Sequence, residues 1–349
     1  MKVVDMHCDT ISELLNKKRK GECAALREND CHVDIVKMKQ GDYLLQNFAL
    51  FAELGCCEDP WQEVQELFET YMQEMAANAD SIAPVFTYGD IEKNMQAGKI
   101  SAMLTVEEGG VCGGDLGKLH TLYKQGVRMM TLLWNYPNEL GWPNLDRLKG
   151  KKLRIAEQGG NASVINIVKQ NYLNTPNTEN GLTRTGITFV EEMEKMGMII
   201  DVSHMSDTGF YDVLQYTRNP FVASHSNSRY VCPCVRNLSD DMIRKLAERG
   251  GVMGLNFCSD FLAQYPVGVN NRSSVADVVK HAKHIVAVGG VECLGLGSDF
   301  DGIETHAELT GADKLELLWD ALNKNGFTQE QLDKIFGKNV LRVYKDILS

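Results

Sequence analysis

The chain has 349 residues, 44% hydrophobic and 24% charged, and its 36 basic against 47 acidic side chains leave a net charge of −11. That charge repels phosphate backbones and anionic headgroups, which excludes nucleic acid and membrane surfaces as partners and favours a small-molecule or peptide substrate. Ten cysteines, with no basic-then-apolar leader and no apolar run long enough to cross a bilayer, read as reduced thiols and place the protein in the cytoplasm.

The first element is a short apolar strand, "VVDM", running straight into His7, Cys8 and Asp9. Alternation along a strand sends His7 and Asp9 to one side and Cys8 to the other, which is how a strand end presents two ligands to a metal. A hydrogen-bonded His7–Asp9 pair capping the next helix is the other reading of this stretch. Seven more apolar or β-branched runs follow in order: "NFALFA", "ISAMLTV", "RMMTLLW", "GMIIDVS", "PFVASH", "GVMGLNF" and "CLGLGSD". Between them lie amphipathic segments such as "WQEVQELFETYMQEMAANA", "GKLHTLYKQG" and "LTRTGITFVEEMEKMG", with apolar residues at three- and four-residue steps. Ser206 and Ser239 stand where helix N-caps belong, and a glycine pair, Gly250 and Gly251, closes the other end of the second helix.

Eight strands alternating with helices predict a (β/α)8 TIM-type barrel over residues 1–349 as one domain, with an open doubly wound sheet as the other fold. No linker or repeat divides the chain. Residues 21–39 and 135–175 read as loop insertions at the C-terminal face, where such barrels build their sites. The tail "TQEQLDKIFGKNVLRVYKDIL" is expected as helices packed on the outside of the barrel.

In that fold the strand ends meet, and their residues are of one kind. The first strand ends in His7 and Asp9, the third in Glu107 and Glu108, the fifth in His204, the sixth in His225 and the eighth in Asp299. Imidazoles and carboxylates converging with an open position are a zinc donor set, and their number suggests two metals sharing a carboxylate and a hydroxide.

The motifs "DMHCDT", "TVEEGG", "IDVSHMSD", "VASHSNSRYVCPCVRN" and "LGSDFDG", in this order and spacing, resemble those of the renal-type membrane dipeptidases, the M19 metallopeptidases, and the resemblance runs from Val4 to about Val343. It implies a (β/α) barrel with two Zn2+ and a dipeptide substrate. On it, His7 and Asp9 hold one zinc, Glu108 rather than Glu107 bridges, and His204 and His225 hold the other. Arg236 binds the substrate carboxylate, and Asp299 is the catalytic acid/base beside the bridging hydroxide. Trp134 stands where the animal enzymes have a histidine that approaches substrate, and tryptophan cannot take up a proton there. The resemblance also suggests a homodimer. The rival activities are a hydrolase of lactams or cyclic amides and a non-catalytic peptide- or metal-binding barrel.

Other residues read as structural. His32 is expected to be satisfied by backbone bonds. His281 should lie on the solvated side of its helix, and His120 and His306 at the surface. Cys232 and Cys234, like Cys56 and Cys57, are assigned to packing, and Asp301 to a turn. Arg229 competes with Arg236 for the carboxylate. No glycine spacing matches a nucleotide-binding loop.

Overall fold

The computed structural model describes residues 1–148, 173–264, 273–304 and 306–348. Much of the expected 135–175 insertion therefore lies outside the described residues. The strands are β1 (Val3–Asp5), β2 (Tyr43–Phe51), β3 (Ile82–Pro84), β4 (Ile100–Glu107), β5 (Val127–Thr131), β6 (Ile199–Asp201), β7 (Val222–Ala223), β8 (Val252–Leu255) and β9 (Leu294–Leu296). All pairings between them are parallel, in the order β2-β1-β9-β8-β7-β6-β5-β4, and β2 pairing with β4 closes the ring. This is the (β/α)8 barrel, and its eight strands are the eight apolar runs. The ninth strand, β3, adds only three residues to the start of β4, Ile82 opposite Ile100 through Pro84 opposite Ala102. It is too short to carry a period in the sequence.

Two-residue alternation sorts each strand into an axial and an outer face. Val4, Met6, Leu45, Met103, Met129, Ile199, Val222 and Val252 form one apolar cluster inside the ring. Their neighbours Val3, Phe48, Leu104, Met130, Ile200, Ala223 and Met253 belong to the larger cluster under the helices. Two residues further along the axial face, apolar gives way to polar: Met129 is followed by Thr131, Ile199 by Asp201, Val222 by Ser224, and Met103 by Thr105 and Glu107. The barrel axis is thus oily at its N-terminal half and hydrogen-bonding at its C-terminal half.

The tail departs from expectation. Ile335 and Phe336 do pack in the outer cluster, but Val340, Val343, Tyr344, Ile347 and Leu348, mostly on the final helix Asn339–Ile347, join the axial cluster and close the N-terminal mouth. The Tyr344 hydroxyl accepts from Asn47 Nδ2 at 2.7 Å on the axis. Amphipathic spacing shows that a helix face is buried, not what covers it. The expected caps form: Ser206 accepts from the Gly209 N–H at 3.0 Å and Ser239 from the Met242 N–H at 3.3 Å. No helix of the described residues is long and apolar enough to cross a membrane.

Candidate metal centre and substrate cavity

The polar half of the axis opens into a cavity of about 780 Å³ bordered by Asp9, Glu107, Trp134, His204, Phe261 and Asp299 among others. Four of the five non-glycine residues with left-handed backbone among the described residues, Glu108, His204, Asp299 and Asp301, stand at this mouth, at φ of 93°, 68°, 63° and 69°. Such conformations cost energy and are kept where a side chain must be aimed. His204 uses one to leave the strand alternation and turn inward. At β1 the change is a step in the alternation itself: Val4 and Met6 face the axis, whereas Cys8 faces the outer core, so His7 and Asp9 turn inward. Asp9 is the N-cap of the following helix, Thr10–Arg19, but its side chain makes no cap bond. That excludes the capping reading of His7 and Asp9.

At the centre lies Glu107. Its Oε1 is 3.0 Å from His204 Nε2 and 3.3 Å from His225 Nε2, and its Oε2 is 3.6 Å from His7 Nε2. His7 Nε2 is in turn 3.2 Å from Asp9 Oδ2 and 3.8 Å from Asp299 Oδ1, and the His204 and His225 Nε2 atoms are 3.0 Å apart. Three overlapping donor groups result, His7–Asp9–Glu107, Glu107–His204–His225 and His7–His225–Asp299, each with ligand atoms within 4.8 Å of one another.

Burial and charge act against each other here. Burial opposes a proton on His7, but the Glu107 and Asp9 carboxylates hold its pKa well above the usual imidazole value. Burial likewise raises Glu107, and the His7 charge brings it well below the carboxylate range. Burial, with Arg236 nearby, pushes His204 well down, burial and His7 lower His225, and burial raises Asp9 to about 7. Neutral His204 and His225 beside the buried Glu107, Asp9 and Asp299 carboxylates form a set that demands positive charge, which His7 supplies as a proton and a bound cation could supply in its place.

The structure corrects the choice between the adjacent glutamates. Glu108 points away from the cluster: its Oε1 accepts from Gly110 N at 2.8 Å and Asn138 Nδ2 at 2.5 Å, and its Oε2 from Trp134 N at 3.2 Å. Glu107 occupies the shared position instead. Alternation along β4 from Met103 through Thr105 places Glu107 on the axial face, a signal that the order of motifs overrode.

Of the two arginines after β7, Arg229 is held by Asp207, Nη1 to Oδ2 at 2.6 Å and Nη2 to Oδ1 at 2.7 Å. Arg236 is buried, gives only Nη2 to the His225 carbonyl at 3.3 Å, and leaves Nε and Nη1 without a partner among the described residues. Asp299 Oδ2 accepts from Asn256 Nδ2 at 2.8 Å, a support not foreseen from the sequence. The Trp134 ring borders the cavity between Phe51, 4.7 Å away, and His204, 6.1 Å away, with the Arg147 guanidinium 4.4 Å over it.

Asp301 takes a structural place, accepting from Thr10 Oγ1 at 2.7 Å and from His32 N at 2.6 Å, and its own N–H donates to His32 Nδ1. His281 is not solvated: it is fully buried, Nδ1 accepting from Ser228 N and Nε2 donating to the Leu262 carbonyl. His306 is buried as well, accepting the Glu308 and Leu309 N–H groups. Both helix and loop histidines find backbone partners that periodicity does not reveal. All ten cysteines are unpaired.

A family model described as membrane dipeptidase, peptidase family M19, matches residues 1–160 and 160–348. An uncharacterized dipeptidase of Schizosaccharomyces pombe is 30% identical over 365 residues, covering 99% of this chain and 80% of its own. Among solved structures, a family M19 dipeptidase superposes with a TM-score of 0.86 at 23% identity over 100% of this chain and 99% of its own. A metallopeptidase from Rhodobacter sphaeroides, solved with a phosphinate mimic of the dipeptide L-Ala-D-Ala, gives 0.83 at 22% identity over 99% of both chains.

Proposed function

This chain belongs to peptidase family M19, the membrane dipeptidases, and from that premise we propose that it is a zinc dipeptidase whose two cations share Glu107. The observation that carries the reading is the division of the Glu107 carboxylate, one oxygen toward His204 and His225 and the other toward His7. His7, Asp9 and Glu107 would hold one cation, and Glu107, His204 and His225 the other. The donor chemistry fits, since Asp9 Oδ1 is buried without a partner among the described residues while Asp9 Oδ2 and Glu107 Oε2 lie 3.2 Å and 3.6 Å from His7 Nε2. Two bound divalent cations supply Lewis acidity toward a peptide carbonyl and an activated water.

The chain's own residues supply the rest. Arg236, with Nε and Nη1 uncommitted, binds the free carboxylate of the substrate and so limits it to dipeptides. Asp299, held by Asn256, carries the proton toward the departing amine. Trp134 forms a cavity wall where it offers packing rather than charge. The dipeptide mimic bound by the Rhodobacter sphaeroides neighbour supports this substrate class. The carboxylate clamp argues against a lactam or cyclic amide that lacks a free carboxylate next to the scissile bond. A cytoplasmic location is part of this reading, supported by the unpaired thiols.

The test is metal content together with hydrolysis of L,L- and L,D-dipeptides by zinc-loaded protein. About two zinc ions per chain and chelator-sensitive turnover are expected. One ion with full activity would overturn the shared-carboxylate centre.

A further inference from the structure

The three imidazoles of the centre differ at the nitrogen that faces away from it. His204 Nδ1 lies 3.0 Å from Asn135 Oδ1, His225 Nδ1 lies 2.7 Å from Ser224 Oγ, and His7 Nδ1 is buried with no partner among the described residues. The His225 arrangement continues outward, because the Ser224 hydroxyl donates to Asp201 Oδ2 at 2.5 Å. A hydroxyl has one proton. With that proton given to Asp201, the Ser224 oxygen is left to accept, so His225 carries its hydrogen on Nδ1 and keeps the lone pair of Nε2 for the centre.

Asp201 is fully buried at the end of β6 and forms no ion pair among the described residues. Its Oδ1 accepts the N–H groups of Ser203 at 3.0 Å and Ser224 at 2.8 Å, and its Oδ2 accepts the hydroxyls of Thr131 at 2.6 Å and Ser224. A Cβ on Gly254 of β8 or on Gly297 just after β9 would overlap the Ser224 carbonyl oxygen, so these two backbones hold Ser224 in place at close range. Ser224 is itself fully buried and does not border the cavity, which removes its hydroxyl as a nucleophile.

We propose that Asp201, acting through Ser224, is the positioning residue for His225: it selects the Nδ1–H tautomer and strengthens Nε2 as a donor to the cation shared with His204 and Glu107. The proposal rests on the two-cation reading above, but its first consequence, the tautomer, exists without any cation. A purely structural Asp201 would merely tie the ends of β5, β6 and β7 together.

Asp201→Asn separates the two roles. The backbone N–H donors keep the amide oxygen at the Oδ1 position, so the amide nitrogen replaces Oδ2 and donates to Ser224 Oγ. The Ser224 proton then turns to His225 Nδ1, and the imidazole hydrogen moves to Nε2. Nitrogen-15 NMR of metal-stripped protein should show His225 as the Nδ1–H tautomer in the parent and the Nε2–H tautomer in Asp201→Asn. In zinc competition against a chromophoric chelator, Asp201→Asn and Ser224→Ala should weaken one of the two ions by about 10- to 100-fold, the usual cost of losing an outer partner of a ligating histidine, and leave the other unchanged. Thr131→Val removes the other hydroxyl from the same carboxylate oxygen, so it should lower the melting temperature yet leave both affinities within about twofold, because no ligand's partner is lost.

An Nε2–H tautomer in the parent overturns the proposal without recourse to any variant, and so does equal weakening in Thr131→Val and Ser224→Ala. A parent that binds one zinc but shows the Nδ1–H tautomer contradicts the two-cation reading while the relay stands.

Discussion

Glu107 and Glu108 are consecutive residues whose carboxylates end on opposite sides of the β4 terminus. Glu107 is shared among His7, His204 and His225, while Glu108 is consumed by Gly110, Trp134 and Asn138. Glu107→Gln should therefore abolish the zinc stoichiometry and the turnover. Glu108→Gln should keep both ions and cost about 1–3 kcal/mol of stability, the penalty for leaving a buried donor without its acceptor. Metal analysis and thermal melts of the two variants decide between them, and the opposite pattern would return the bridge to Glu108.

Arg236 and Arg229 lie seven positions apart after β7 but face different partners. Arg236→Ala should lose roughly 2–5 kcal/mol of transition-state binding on dipeptides, through kcat/KM, and change little on dipeptide amides, which lack the carboxylate. Arg229→Ala breaks the fork to Asp207 and should reduce stability with similar losses on both substrates. Equal losses on acids and amides in Arg236→Ala would remove the clamp.

Asp299→Asn should retain both zinc ions and lower kcat about a hundredfold or more, the range for a lost general acid/base. Retained metal in the same preparation is the control. Turnover near that of the parent would exclude Asp299 as the proton carrier.

Burial lowers the His281 pKa to about 4, against an ordinary 6.5. Between those values the unfolded chain binds a proton that the folded protein does not, so stability is full above pH 6.5 and falls as the pH drops toward 4, where the loss is complete. At about 1.4 kcal/mol per unit the contribution is on the order of 3 kcal/mol. Denaturant melts of His281→Gln should show a flatter slope across that window. An unchanged slope would mean that His281 titrates in the folded state as it does in the unfolded chain.

The sequence by itself determined the eight barrel strands, because each is an apolar run with its own boundaries, and it determined the helix starts at Ser206 and Ser239, because capping is local chemistry. It also placed His7, Asp9, His204, His225 and Asp299 at strand ends, which is enough to bring them to one mouth once the ring closes. What it left open depends on orientation across distances that periodicity does not encode. Alternation puts Glu107 on the Met103–Thr105 face of β4 and Glu108 off it, but only the pairing of β4 between β2 and β5 in the closed ring makes that face the axial one. The final helix shows one apolar face, and only the closed barrel offers Val4, Met103 and Val252 at its mouth to receive it. Asn135, Asp201, Ser224 and Asn256 carry no motif, since each becomes an outer support only when another strand brings a histidine or carboxylate within about 3 Å, the reach of a hydrogen bond.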